Sequence, residues 1–153
     1  MGKGKLEDND VIDKLPAELR ANYKIRGKGS PVIECLKVAA ALKLWEACGY
    51  RDIKFDVPIT FSRKTFFVKV LARNADDVVV GAECVSSLRL GWLRERVAQL
   101  RGCLPPDSWF IVVFPANVDG HVKKVVKFVD EVWVTGKNGT VEQMMFMSVF
   151  GKG

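Results

Sequence analysis

A run of small and β-branched residues in the middle of the chain ends close to a carboxylate. Residues 78–85 read Val-Val-Val-Gly-Ala-Glu-Cys-Val, and Glu83 is the only charged residue among them. A continuous apolar run of this length is typical of a strand covered on both faces of a sheet. Because an ionised carboxylate is costly to bury without a cation, a metal or several donors, Glu83 needs partners. We therefore predict a central strand, with Glu83 in a functional site at its end.

Helix and strand patterns alternate on either side of this run. Ser30 and Pro31 predict a helix start, because a capping residue precedes a proline at the first helical position, and Gly49 predicts its end. A second helix follows Ser86 and Ser87. The other predicted elements are strands at 53–60, 66–72, 109–114 and 131–135, a helix at 118–129, and a strand or short helix at 141–150. The order α-β-β-β-α-β-α-β predicts an α/β protein with a mixed five- to six-stranded sheet and helices on both faces.

Positive charge is a general property of this sequence. The 153 residues carry a formal net charge of +6, which fits an anionic partner, and nucleic acid is the commonest one. We predict a flexible basic arm over residues 1–29 and a single domain over residues 30–153. The residues predicted to bind nucleic acid lie in the arm, in the turn between the first two strands and on the second helix: Lys24, Arg26, Lys28, Arg63, Lys64, Arg89 and Arg96.

Several classes of protein and site are not expected. No segment approaches the run of about 18 apolar residues that a membrane helix needs, and the N-terminus lacks the apolar segment of a secretory signal. We expect a cytoplasmic protein. The four cysteines are far apart and form no C-x-x-C, so a cysteine metal cluster is not expected. Each lies within an apolar stretch, so we expect all four to be buried. The tryptophans fall mostly at inward positions, which disfavours base stacking: Trp45, Trp92, Trp109 and Trp133.

The order of elements and the acid on the third strand resemble the PD-(D/E)XK fold of restriction endonucleases and archaeal Holliday junction resolvases. The resemblance covers roughly residues 30–135. It implies a Glu on the early helix, an Asp on the second strand and an E-x-K motif on the third. In that family the acids hold a divalent metal and the lysine positions or activates the attacking water. Mg²⁺ suits such chemistry because it prefers oxygen ligands and lowers the pKa of bound water.

Carried over residue by residue, the resemblance is partial. Glu34 resembles the acid of the early helix and Glu83 resembles the first residue of E-x-K, so both are the implied metal ligands. Val85 stands where the lysine is expected, and Lys69 stands where the second-strand Asp is expected. We predict that Lys69 pairs with Glu83 across neighbouring strands. The candidate catalytic residues are therefore Glu83, Glu34 and Lys69. If an acidic metal ligand has moved to another position in the chain, the candidates are Asp56, Asp76 and Asp77.

Three functions remain open on the sequence. The missing Asp and Lys favour a nucleic-acid-binding protein with a nuclease-like fold, an incomplete metal site and no cofactor. Its expected partner is duplex or structured DNA, with a homodimer as the expected assembly. The first alternative is an endonuclease or junction-resolving enzyme that uses Mg²⁺ through displaced ligands. The second is a noncatalytic subunit that docks on a protein partner through residues 144–147.

Overall fold

The structure, a computed structural model, describes residues 12–23, 30–118 and 120–146. Its α-helices are α1 (Ala17–Arg20), α2 (Pro31–Glu46) and α3 (Leu90–Arg101), and a 3-10 helix spans Gly120–Lys127. The strands are β1 (Asp52–Phe61), β2 (Lys64–Arg73), β3 (Val79–Cys84), β4 (Trp109–Phe114), β5 (Glu131–Thr135) and β6 (Val141–Met145). The predicted arm residues Lys24, Arg26 and Lys28, together with Met147, lie outside the described residues.

All six strands form one mixed sheet in the order β1-β2-β3-β4-β5-β6. The first three strands and the β5–β6 pair are antiparallel, whereas β3, β4 and β5 run parallel. Parallel neighbours need crossover connections, and α3 and the 3-10 helix supply them. The predicted α/β architecture is confirmed.

Two apolar cores cover the two faces of the sheet. One core packs α1 and α2 on the sheet through residues such as Leu19, Leu36 and Trp133. The other packs α3 and the 3-10 helix on the opposite face through residues such as Leu93 and Val125. Every residue of β3 is buried because the strand is covered from both sides. This agrees with the uninterrupted apolar run that predicted it.

Three expectations about local structure are wrong. The third helix is a 3-10 helix, in which Val122 and Val125 share one side because 3-10 geometry has three residues per turn. Trp92 and Trp109 are 44% and 42% exposed, because each stands at the first turn or first residue of its element and outside the cores. Cys48, which lies just past the end of α2, is also exposed.

The strand β1 changes face at Asp56. Ile53 and Phe55 pack in the core under α2, whereas Val57 and Ile59 pack against the core under α3. Residues two apart normally stay on one face of a strand. The change coincides with Asp56, whose φ of 49° interrupts the extended backbone.

The neighbouring strand β2 makes the same change between Val70 and Val68. The register pairs of β2 with β3 end at Val70 and Ala82. Beyond that pair the β1–β2 hairpin separates from β3, and the sheet forks. Lys69 and Glu83 are the first residues past the last pair, so the topology places both at the fork.

Among the described residues, no helix has the length and apolar composition needed to cross a membrane.

Candidate functional site

Glu83 lies at the carboxyl end of β3, with only 1% of the residue exposed. Its Oε2 is 3.4 Å from Lys69 Nζ and 3.6 Å from Arg96 Nε, so a strand lysine and a helix arginine face the same carboxylate oxygen. The predicted contact between Lys69 and Glu83 is therefore present. Arg96, one of the residues predicted to bind nucleic acid, points its guanidinium towards Glu83.

Burial dominates the electrostatics of Glu83. Desolvation raises the pKa of its carboxyl above the ordinary value of 4.5, against the lowering effect of Lys69 and Arg96. The two cations compensate incompletely because both contacts are longer than a close ion pair. The second oxygen, Oε1, is buried and has no hydrogen-bond partner in the described part of the chain. Glu83 therefore retains an unused acceptor at the fork.

A second charged cluster lies between α2 and β1. Lys37 Nζ is 2.9 Å from Glu34 Oε1 and 2.6 Å from Asp56 Oδ2, and the Lys37 side chain is only 1% exposed. The Tyr23 hydroxyl donates a hydrogen bond to Glu34 Oε1, and Lys37 Nζ lies 5.4 Å from the centroid of the Tyr23 ring. Burial, followed by the hydrogen bond to Glu34, raises the pKa of Tyr23. One ammonium thus joins two buried carboxylates.

The two clusters lie on opposite sides of the forked sheet. Cys84 lies between them: burial raises the pKa of its thiol, and charges of both clusters act on it, among them Glu83 and Lys37. The described residues show no ion pair that joins one cluster to the other. Together the clusters contain three acids and three bases, so their formal charge cancels: Glu34, Asp56, Glu83, Lys37, Lys69 and Arg96.

This set of donors does not fit the divalent metal that the resemblance implies. Mg²⁺ binds through several oxygen ligands in near-octahedral geometry. Here Lys37 Nζ stands between the carboxylates of Glu34 and Asp56, and Glu83 faces two cations of its own. Within residues 12–23, 30–118 and 120–146, no group of three or more His, Cys, Asp and Glu side chains is arranged to hold a metal ion.

The remaining predicted site residues lie at different places. Arg63 and Lys64 are exposed at the tip of the β1–β2 hairpin, and Arg89 is exposed just before α3. Asp76 and Asp77 lie in the turn that leads into β3, at the opposite end of that strand from Glu83. They are therefore remote from the fork, and Asp77 forms an exposed ion pair with Arg73 at 3.4 Å.

Sequence reasoning missed Lys37 and Tyr23. A signal for Lys37 was present, because it follows Glu34 by three residues and is flanked by apolar residues in a helix that is apolar around most of its surface. A lysine in that setting needs a buried acidic partner. No comparable signal identified Tyr23, which precedes α2 in the chain and reaches Glu34 only through the fold.

The order of elements, the forked three-stranded meander and the helices on both faces define a restriction-endonuclease-like fold. Two solved structures share it at a TM-score of 0.51 each. An XisH family protein from Nostoc punctiforme is 14% identical and covers 72% of this chain and 98% of its own. An fdxN element excision controlling factor protein from Anabaena variabilis is 17% identical and covers 75% of this chain and 98% of its own.

A repair endonuclease from Pyrococcus abyssi aligns at a TM-score of 0.43 and 18% identity, over 68% of this chain and 45% of its own. That similarity is too distant to support an inference. Neither a protein-family model nor a curated protein sequence matches this chain. The identities of the two excision-related structures establish the fold alone.

Proposed function

We propose that this protein binds nucleic acid through a nuclease-like domain whose own cations have replaced the metal. The observation that carries the proposal is the position of Lys37, whose ammonium contacts both Glu34 and Asp56. An ammonium held by two carboxylates supplies the charge that a metal would otherwise supply. It offers no bound water to activate, so the arrangement favours binding over hydrolysis.

The energetics of the buried charges support the same proposal. Removing several charges from water is costly, and the cost is recovered only when each charge is paired at close range. Lys37 pairs at close range with both Glu34 and Asp56, so that cluster is compatible with a folded protein without any bound ion, whereas Lys69 and Arg96 compensate Glu83 only in part. We infer that the former catalytic centre now stabilises the fork of the sheet.

Exposed basic residues supply the nucleic-acid contacts in this proposal. Arg63 and Lys64 protrude at the hairpin tip, and Arg89 lies beside the carboxyl end of β3. Contacts of this type attract phosphates without reading sequence, and their strength falls as the salt concentration rises. Duplex or structured DNA is therefore the proposed partner, and the basic arm that includes Lys24, Arg26 and Lys28 is proposed to add phosphate contacts.

The experiment that tests the proposal is a binding titration by fluorescence anisotropy with EDTA present. Labelled duplex DNA, a DNA junction, single-stranded DNA and duplex RNA are each titrated with the protein at low salt and again at physiological salt. The proposal predicts saturable binding to at least one DNA ligand and weaker binding at the higher salt. Absence of binding to all four ligands at low salt would overturn it.

A second candidate function rests on a different surface. Met144 and Phe146 are 47% and 61% exposed on and just after the edge strand β6. An exposed apolar edge strand is a surface on which another chain can pair. The candidate is a noncatalytic subunit that docks on a protein partner through this segment. Light scattering and a nucleic-acid titration test it: a monomer without nucleic-acid affinity, with a co-purifying protein that F146S loses, supports the candidate, and a protein that binds nucleic acid without any protein partner contradicts it.

A further inference from the structure

A cavity beside the fork has an aromatic wall that the charged clusters do not explain. The cavity measures about 240 Å³, and its lining includes Lys69, Glu83, Arg89 and Trp92. Ligand pockets commonly begin at about 300 Å³, so a cavity of this size suits one small group rather than a long ligand. It opens between the start of α2, the end of β3 and the start of α3.

Trp92 is the first unusual feature of this cavity. It remains 44% exposed although most large apolar side chains of the chain are buried, and it is not part of either core. Arg96 connects it to the fork, since the Arg96 guanidinium carbon lies 5.8 Å from the Trp92 ring centroid while Arg96 Nε faces Glu83. Exposed indole rings of this kind serve as platforms on which bases stack.

Glu83 is the second feature, and it is independent of the first. The residue is 1% exposed, yet Oε1 is buried without a hydrogen-bond partner in the described structure while the same side chain lines the cavity. A buried acceptor without a donor costs free energy until a ligand satisfies it. A group that carries an N–H is the complement it lacks.

The cationic residues complete the chemistry of the cavity. Lys69 and the exposed Arg89 stand on its lining, and both present positive charge where a phosphate would follow the bound group. The cavity therefore offers a stacking surface on Trp92 and a hydrogen-bond acceptor on Glu83. Lys69 and Arg89 supply positive charge for a phosphate. Stacking and hydrogen bonds to the base edge hold a single base taken out of a helix, and basic side chains hold the phosphates that flank it.

We propose that this cavity binds one unpaired nucleobase of a nucleic acid, stacked on Trp92, with an N–H of its edge donated to the Glu83 carboxyl group that lines the cavity and its phosphate on Arg89. The inference rests on the proposed function and sharpens it. The preferred ligand becomes DNA that contains a bulged or unpaired base rather than fully paired duplex. Phosphate contacts elsewhere on the surface are common to the bulged and the fully paired duplex. The cavity therefore accounts for the difference in affinity between the two.

The test compares two labelled duplexes that differ only by one bulged adenine, each titrated with the full chain. Wild type is expected to bind the bulged duplex more tightly. W92A is expected to lower the affinity for the bulged duplex by about tenfold, because stacking of one base contributes that order of affinity, with little effect on the paired duplex. W92F should retain most of the preference because it keeps an aromatic face.

W109A is the matched control, since Trp109 is similarly exposed at 42% but stands at the opposite end of the parallel strands. It should leave the preference for the bulged duplex unchanged. Circular dichroism confirms that each variant is folded. Equal binding of both duplexes by wild type, or an equal loss on both with W92A, overturns the cavity proposal while leaving nucleic-acid binding intact. Failure to bind either duplex overturns the proposed function itself.

Discussion

Lys69 and Glu83 stand side by side immediately after the last register pair between β2 and β3, and their charged groups meet at 3.4 Å. The ladder between the strands ends at Val70 and Ala82, so side-chain charge continues the contact where the backbone pairing stops. Arg96 reaches the same carboxylate from α3 and ties the helix to the fork. Glu83 thus has a cationic neighbour on the adjacent strand and another on the helix that packs over it.

Replacing Lys37 with methionine should destabilise the protein strongly. K37M keeps a long apolar side chain but leaves Glu34 and Asp56 facing each other without the ammonium. Removing one partner of a buried ion pair typically costs about 3–5 kcal/mol, and repulsion between the two acids adds to it. Urea denaturation at neutral pH measures the free energy of unfolding.

The control for this prediction neutralises the whole cluster. The triple variant K37M/E34Q/D56N removes the ammonium and both negative charges while nearly preserving side-chain volume, so most of the lost stability should return. A K37M protein as stable as wild type would show that the ammonium is not needed between the acids.

Stability should depend on pH through Glu83. Burial raises the folded-state pKa of this carboxyl above 4.5, so the folded protein holds the proton more tightly than the unfolded chain does. Ionising Glu83 therefore lowers stability as pH rises from about 4.5 through the raised pKa. E83Q lacks this titration, so the unfolding free energy of E83Q relative to wild type should increase over that pH range. Urea denaturation of both proteins from about pH 4 to about pH 8 measures this difference in unfolding free energy. A constant difference across the series contradicts the raised pKa.

Charge at the hairpin tip should set part of the salt dependence of binding. R63A/K64A removes two exposed cations and should weaken binding to every duplex to a similar extent. The slope of log affinity against log salt should become shallower by about 0.9 for each phosphate that the variant no longer neutralises. Anisotropy titrations at several salt concentrations measure that slope.

The charge-matched control is K123A/K124A, which removes two exposed lysines from the 3-10 helix. It lowers the net charge equally but leaves the hairpin intact, so its salt slope should stay close to that of wild type. Identical slopes for the two double variants would mean that only overall charge, and not the hairpin, governs binding.

The sequence predicted the architecture because the decisive signals were local. The Ser30–Pro31 helix start and the apolar run at residues 78–85 each specify an element without reference to the rest of the chain. The acid in that run also required a cation, and Lys69 was identified from its place on the adjacent strand. Elements whose spacing is ambiguous were less clear: Val122 and Val125 suit both an α-helix and the 3-10 helix that forms.

The rest of the site depends on three-dimensional relationships that no local pattern records. Lys37 meets Asp56 because β1 changes face at a residue with a φ of 49°. Aspartate adopts positive φ more often than most residues do, but most aspartates do not, so the sequence alone does not locate the change. Likewise, the spacing of α3 does not specify that Arg96 turns towards the end of β3 or that Trp92 stays in solvent. Those orientations follow from the packing of α3 against the forked sheet.

Dependence on Mg²⁺ tests the central claim most directly. One labelled duplex that the protein binds is incubated with the wild-type protein in EDTA and in Mg²⁺ at matched ionic strength, and both binding and strand length are followed on gels. Because Lys37 already neutralises Glu34 and Asp56, and Lys69 and Arg96 occupy the space beside Glu83, the duplex should bind no more tightly in Mg²⁺ than in EDTA and should stay full-length. Cleavage that requires Mg²⁺ and disappears in E83A would contradict the account, because Glu83 would then be a working metal ligand.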